Sequence, residues 1–158
     1  MKVGVIADTH DNVPMIRRAM EMFKAHDVEC MIHAGDYVAP FALKELQKPG
    51  IKIIGVFGNN DGEKQGLKKL CGEVHEAPFM FELDGRNILV THHLERVRDK
   101  LKEKADVVIS GHTHEPEING GRPLFINPGE CGGWLYGRPS AAILDLETLE
   151  AHVVFLEQ

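Results

Sequence analysis

Apolar and polar positions alternate in two different rhythms along the chain. Val3–Ala7 is a short apolar run led by β-branched residues and predicts a strand. Residues 12–25 follow with Val13, Ile16, Met20 and Phe23 at helical spacing, Pro14 near the start and Asn12 placed to cap the helix. Val28–His33 reads as a second strand, and Pro40–Gln47 as a short helix stopped by Pro49 and Gly50. Ile51–Phe57 is a third strand, and residues 63–70 supply one or two helical turns.

The rhythm then changes. Phe79–Leu83 and Asn87–Thr91 flank Asp84-Gly85, a strong hairpin signal. Residues 94–104 read as one amphipathic helix, and Asp106–Ser110 as a strand. Glu117–Asn119 and Leu124–Asn127 surround Gly120-Gly121, a second hairpin, and Ala141–Leu146 with Ala151–Leu156 make a third. A half that alternates strand and helix, followed by a half rich in hairpins, predicts one α/β domain over residues 1–158 with parallel and antiparallel pairing.

Composition changes this picture little. The chain is 43% hydrophobic and 27% charged, ordinary for a globular protein. No run approaches the ~20 apolar residues of a membrane span, and the N-terminal run is too short for a signal peptide, so the expectation is a soluble cytoplasmic protein. Cys30, Cys71 and Cys131 form no C-x-x-C pair, which argues against a disulfide framework or a zinc finger; Cys30 reads as a small buried hydrophobe. Net charge is −6, and the densest basic stretch, RVRDKLKEK, is interleaved with acids, which argues against nucleic acid as a partner.

Candidate chemistry lies where the apolar strands stop. Val3–Ala7 is followed by Asp8 and His10, the second strand by Gly35-Asp36, the third by Gly58-Asn59-Asn60-Asp61. Ile88–Thr91 runs into His92, and Val107–Ser110 into Gly111-His112-Thr113-His114. In α/β sheets ligands bind outside the carboxyl ends of strands, so these residues converge if the strands share a direction. Gly35, Gly58 and Gly111 then let the backbone approach closely. Asp8, Asp36, His10, Asn59, His92, His112 and His114 are too many donors for one tetrahedral zinc. They suit two divalent ions ~3.5–4 Å apart with a shared carboxylate. Nitrogen and oxygen donors without thiolate fit manganese first, and nickel, iron or zinc as well. Taken singly each piece reads as a turn, a cap or a structural histidine; five strand ends together read as a site. His26, His75 and His152 are expected at the surface, and His33 as a buried structural residue.

In order and spacing, Asp8-Thr9-His10, Gly35-Asp36, Gly58-Asn59-Asn60-Asp61, Thr91-His92, Gly111-His112-Thr113-His114 and Asn127-Pro128-Gly129 resemble the calcineurin-like metallophosphoesterases, and in particular their small single-domain prokaryotic phosphodiesterases. The resemblance spans residues 2–156 and implies a four-layer α/β/β/α sandwich of two mixed sheets. It places Asp8, His10, Asp36 and His114 on one ion and Asp36, Asn59, His92 and His112 on the other, with Asp36 bridging. It also implies hydrolysis of a small phosphodiester by a metal-bridging hydroxide.

Two departures bear on catalysis. Much of the family carries a histidine, thought to protonate the leaving group, at the position of Asn60. An amide cannot serve as that acid, which points to esters with good leaving groups. Many relatives read Thr-His-Gly-His where this chain has Thr91-His92-His93-Leu94, so His93 either replaces the acid or shapes the pocket. Asp61 is expected to orient its own loop. A phosphomonoesterase, a nuclease or a non-catalytic scaffold resembling the retromer subunit are the alternatives; the filled set of seven donors favours the enzyme. Gly129–Gly133 reads as a flexible loop, and Trp134 and Tyr136 beside it as either a pocket wall or a contact in a homo-oligomer.

Overall fold

The computed structural model describes residues 1–47 and 50–156; Pro49, expected to stop the second helix, lies outside them. In strand β1 (Lys2–Ile6) the side-chain period of two sends Val3 and Val5 to one face and Gly4 and Ile6 to the other. The Gly4 face receives helix α1 (Val13–Ala25), whose Phe23 ring would stand 2.8 Å from any Cβ at Gly4. Asn12 caps this helix as expected, its side-chain oxygen accepting from the Met15 N–H. Helices α2 (Pro40–Gln47) and α3 (Lys64–Cys71) cover the same face and bury Leu43, Leu46 and Leu67.

Strand β1 pairs in parallel with β2 (Cys30–His33), and β2 with β3 (Lys52–Val56). The short β4 (Val74–His75) extends this edge, and the hairpin of β10 (Ser140–Asp145) and β11 (Glu150–Phe155) adds antiparallel to the other. The resulting order is β11-β10-β1-β2-β3-β4. A second sheet holds β5 (Phe79–Leu83), β6 (Arg86–Val90), β7 (Val107–Ile109), β9 (Leu124–Pro128) and β8 (Pro116–Asn119), in that order. Its three inner strands β6, β7 and β9 are parallel. Val3, Val5, Ile32 and Val56 meet Ile88, Val90, Ile109 and Ile126 between the sheets, and each is fully or almost fully buried. This is the four-layer sandwich of two mixed sheets that the family resemblance implies.

Three details differ. Residues 94–104 do not form one helix. A 3-10 turn (Leu94–Arg96) and a single turn α4 (Asp99–Lys102) are separated by extended backbone at Val97 and Arg98. Neither His93 nor Arg98 supplies a capping side chain. The apolar spacing is met instead by draping Leu94, Val97, Leu101 and Ala105 over Leu89 and Val108, so the fourth layer is thin. Strand β4, two residues long, carries too little pattern to be read from the sequence. His75, expected at the surface, is half-buried and stacks on Phe79 with ring centroids 3.7 Å apart.

Among the described residues no helix is long and apolar enough to cross a membrane. Because β1, β2 and β3 run one way and β6, β7 and β9 share a direction in the facing sheet, the turns that follow them bring the candidate residues together.

Candidate metal centre

Each candidate side chain sits on a turn pinned by backbone bonds. The Asp8 N–H donates to the Gly35 carbonyl and the His10 N–H to that of Asp36, which ties the β1 turn to the β2 turn. Asp8, His10, Asp36, His112 and His114 all hold φ between 40° and 72°, in the left-handed region. Gly58 is required where it is, because a Cβ there would come 2.1 Å from Asp36 Oδ1.

The turns gather the expected residues around two carboxylates that are almost fully buried, Asp8 and Asp36. Three imidazole Nε2 atoms surround Asp8 Oδ1, from His114 at 3.5 Å, His10 at 3.6 Å and His92 at 3.9 Å. His10 and His92 each also place Nε2 3.4 Å from Asp36 Oδ2. These separations exceed a normal hydrogen bond, and Asp8 Oδ1, His10 Nε2 and His92 Nε2 are buried without a hydrogen-bond partner. Leaving such atoms unsatisfied costs about 1–3 kcal/mol each. Donor atoms ~2.1 Å from one divalent ion stand roughly 3–3.5 Å apart, so the spacing and chemistry of this set fit a cation. Asp8, His10 and His114 form one cluster of donors, and Asp8, Asp36 and His92 another.

Asn59 and His112 lie on the open side, with Asn59 Oδ1 3.2 Å from His112 Nδ1. Electrostatics agrees with cation binding. Asp8, followed by Asp36, raises the pKa of His10 against the cost of burial. Burial opposes charge on His92 too, yet Asp36 and Asp8 outweigh it and its pKa also rises. Burial likewise works against the Asp36 carboxylate, but the His92 imidazole 3.4 Å away and the two hydrogen bonds from Asn60 hold it well below the usual carboxylate range. The site favours positive charge between its carboxylates.

Supporting residues stand behind this set. The His92 Nδ1 lies 2.8 Å from the Ala34 carbonyl, which leaves Nε2 to face the site. Asp61 is buried and accepts from the N–H groups of Asp36, Val38 and Gly58, locking two turns together; its carboxyl pKa is raised, chiefly by burial. His33 is buried beneath, facing Thr9 Oγ1 at 3.1 Å and accepting from the Gly35 N–H.

Sequence reasoning missed Glu130. Its side chain is almost fully buried, with Oε1 3.2 Å from His114 Nδ1, and it accepts from the N–H groups of Trp134 and Leu135. The signal was present, since β9 is followed at once by Gly129-Glu130, as the other strand ends are followed by donors. The flexible loop expected at 129–133 is instead built in. Cys131 is buried and donates its N–H to Ala7, while the Gly132 N–H donates to Asp8 and its carbonyl accepts from the Asn12 amide. Trp134 Nε1 donates to the His10 carbonyl, and the indole, two-thirds exposed, forms with Leu135, His10, His114 and Glu130 a shallow cavity of about 280 Å³.

Comparison with known proteins gives one consistent picture. The calcineurin-like phosphoesterase superfamily domain matches residues 1–149. The protein named phosphodiesterase MJ0936 from Methanocaldococcus jannaschii is 40% identical, over 99% of this chain and all of that one. A probable metallophosphoesterase from Methanothermobacter thermautotrophicus is 31% identical, over 98% of this chain and 92% of its own length. A solved archaeal phosphodiesterase, 40% identical, superposes with a TM-score of 0.90 over 99% of this chain and all of that one. Vps29 from Entamoeba histolytica reaches a TM-score of 0.70 at 16% identity over 99% of this chain and all of that one, which speaks to the fold alone.

Proposed function

Because the chain belongs to the calcineurin-like phosphoesterase superfamily, we propose that it is a phosphodiesterase that works with two divalent metal ions, manganese being the first choice on these donors. The observation that carries the reading is Asp8 Oδ1, buried, unpartnered and ringed by three imidazole nitrogens at 3.5–3.9 Å. One ion would be held by Asp8, His10, Asp36 and His114, the other by Asp36, Asn59, His92 and His112. When bound, the ions would supply Lewis-acid activation of water and neutralise charge developing at phosphorus.

The chain's own residues supply the positioning. The Ala34 carbonyl orients His92, the Glu130 carboxylate stands 3.2 Å from His114 Nδ1, and Asp61 holds the turns that carry Asp36 and Asn59. Asn60 binds Asp36 and has no proton to give a departing alkoxide. Without a general acid, worth ~10²–10⁴ in rate, the enzyme suits diesters whose leaving group needs no protonation. The Trp134–Leu135 rim beside His10 and His114 offers such a group, flat and aromatic, an apolar surface.

The test is hydrolysis of bis(4-nitrophenyl) phosphate by wild type and Asp36→Ala, with and without Mn²⁺. Metal-dependent turnover in wild type and its loss in the variant are expected. A chain that loads metal yet leaves this ester intact would move the reading to a non-catalytic scaffold.

A further inference from the structure

We propose that His93 is an eighth metal-ligating residue, a third imidazole on the ion held by His92 and His112. The proposal rests on the metal-binding reading above and adds to its seven side chains. His92, His93 and His112 each offer a ring nitrogen, and the three atoms lie within 4.8 Å of one another. The His93 ring tilts against His112 with centroids 4.0 Å apart and meets His92 edge-on at 5.0 Å.

Orientation supports a ligating role. The His93 Nδ1 lies 3.2 Å from Glu95 Oε1, an arrangement that fixes the tautomer and leaves Nε2 bare. That Nε2 is buried and has no hydrogen-bond partner. His92 shows the same logic, with Nδ1 on the Ala34 carbonyl and Nε2 bare and buried. The 3-10 turn that replaces the expected helix holds His93 here, since the Arg96 N–H donates to the His93 carbonyl.

The chemical consequence is a difference between the two positions. Asp8, His10, Asp36 and His114 offer two nitrogens and two carboxylates. With His93, the other position has three nitrogens beside the oxygens of Asn59 and Asp36. More imidazole shifts preference from manganese toward nickel, cobalt and zinc. A ligated His93 is also unable to act as the general acid through Nε2.

The experiment measures metal binding by the full-length protein, wild type, His93→Ala and His93→Phe. Isothermal titration with Ni²⁺ and with Mn²⁺ is paired with the visible spectrum of the Co²⁺-loaded protein, and a thermal melt checks folding. The expected result is two ions per chain in wild type, and at least about a tenfold loss of Ni²⁺ affinity at one position in both variants. The loss for Mn²⁺ is smaller, and the cobalt bands shift. Unchanged affinity and an unchanged cobalt spectrum in both variants would overturn the proposal. If turnover of poor leaving groups then fell alone, His93 would be the acid instead. Two ions in wild type with the predicted loss, but no diester hydrolysis, would keep His93 as a ligand and overturn the phosphodiesterase reading. A wild type that takes up no ion overturns both.

Discussion

Asn60 grips Asp36 from two directions: its backbone N–H donates to Oδ1 at 2.8 Å and its side-chain amide to Oδ2 at 2.8 Å. The residue at the usual acid position thus serves the carboxylate proposed to bridge the ions. Asn60→His would exchange that grip for a proton donor. The expected outcome is a gain of about tenfold or more on alkyl phosphodiesters, a fraction of what a general acid supplies, with little change on nitrophenyl esters. Steady-state rates on a series of leaving groups check it; a uniform loss across the series would refute the missing-acid argument.

Glu130 holds the loop that carries Trp134 and Leu135 and places its carboxylate 3.2 Å from His114 Nδ1. Carboxylates behind metal-ligating histidines affect metal affinity about 10–100-fold. Glu130→Gln is expected to weaken one Mn²⁺ position by that order and leave the other unchanged. Titration of the metal-free protein with Mn²⁺, followed by electron paramagnetic resonance, reads the two positions.

Asp61 holds three backbone N–H groups in a buried setting. Asp61→Ala strands all three and should cost roughly 2–4 kcal/mol of stability. Urea unfolding measures this, and a loss under ~0.5 kcal/mol would mean that water replaces the carboxylate freely.

Burial pushes the His33 pKa down to about 3, against about 6.5 for a free imidazole. In acid the unfolded chain therefore takes up this proton first. The stability that His33 contributes by staying neutral is complete above pH ~6.5 and is lost progressively down to about pH 3. Thermal melts of the metal-free protein between pH 7 and 4 should show a falling midpoint, with a shallower fall in His33→Asn. Parallel slopes in the two proteins would place the acid sensitivity elsewhere.

Much of this molecule was legible in its sequence, for a local reason. The turns that carry the candidate ligands follow strands with dense apolar runs, and a strand's end can be read from a few neighbours. Asp8, Asp36 and His92 stand out as candidates that way, and the structure brings them within a few ångströms. The break at Val97 was not legible, because the apolar spacing of 94–104 is the same whether the segment is helical or draped across β6 and β7. Glu130 was less legible because a lone acid among Gly129, Gly132 and Gly133 has the pattern of an exposed turn. The approach of His93 to His112 depends on how β6 and β7 align, a register that neither strand encodes alone.

The left-handed backbone at Asp8, His10, Asp36, His112 and His114 sets durability against chemistry. Such conformations cost non-glycine residues of order 1–3 kcal/mol each in unfavourable cases, and glycine adopts them freely. Stability selection alone, blind to turnover, would erode this centre toward glycine. A hardened His112→Gly chain, melting at or above the parent temperature when stripped of ions, would be the same scaffold with its working edge worn smooth.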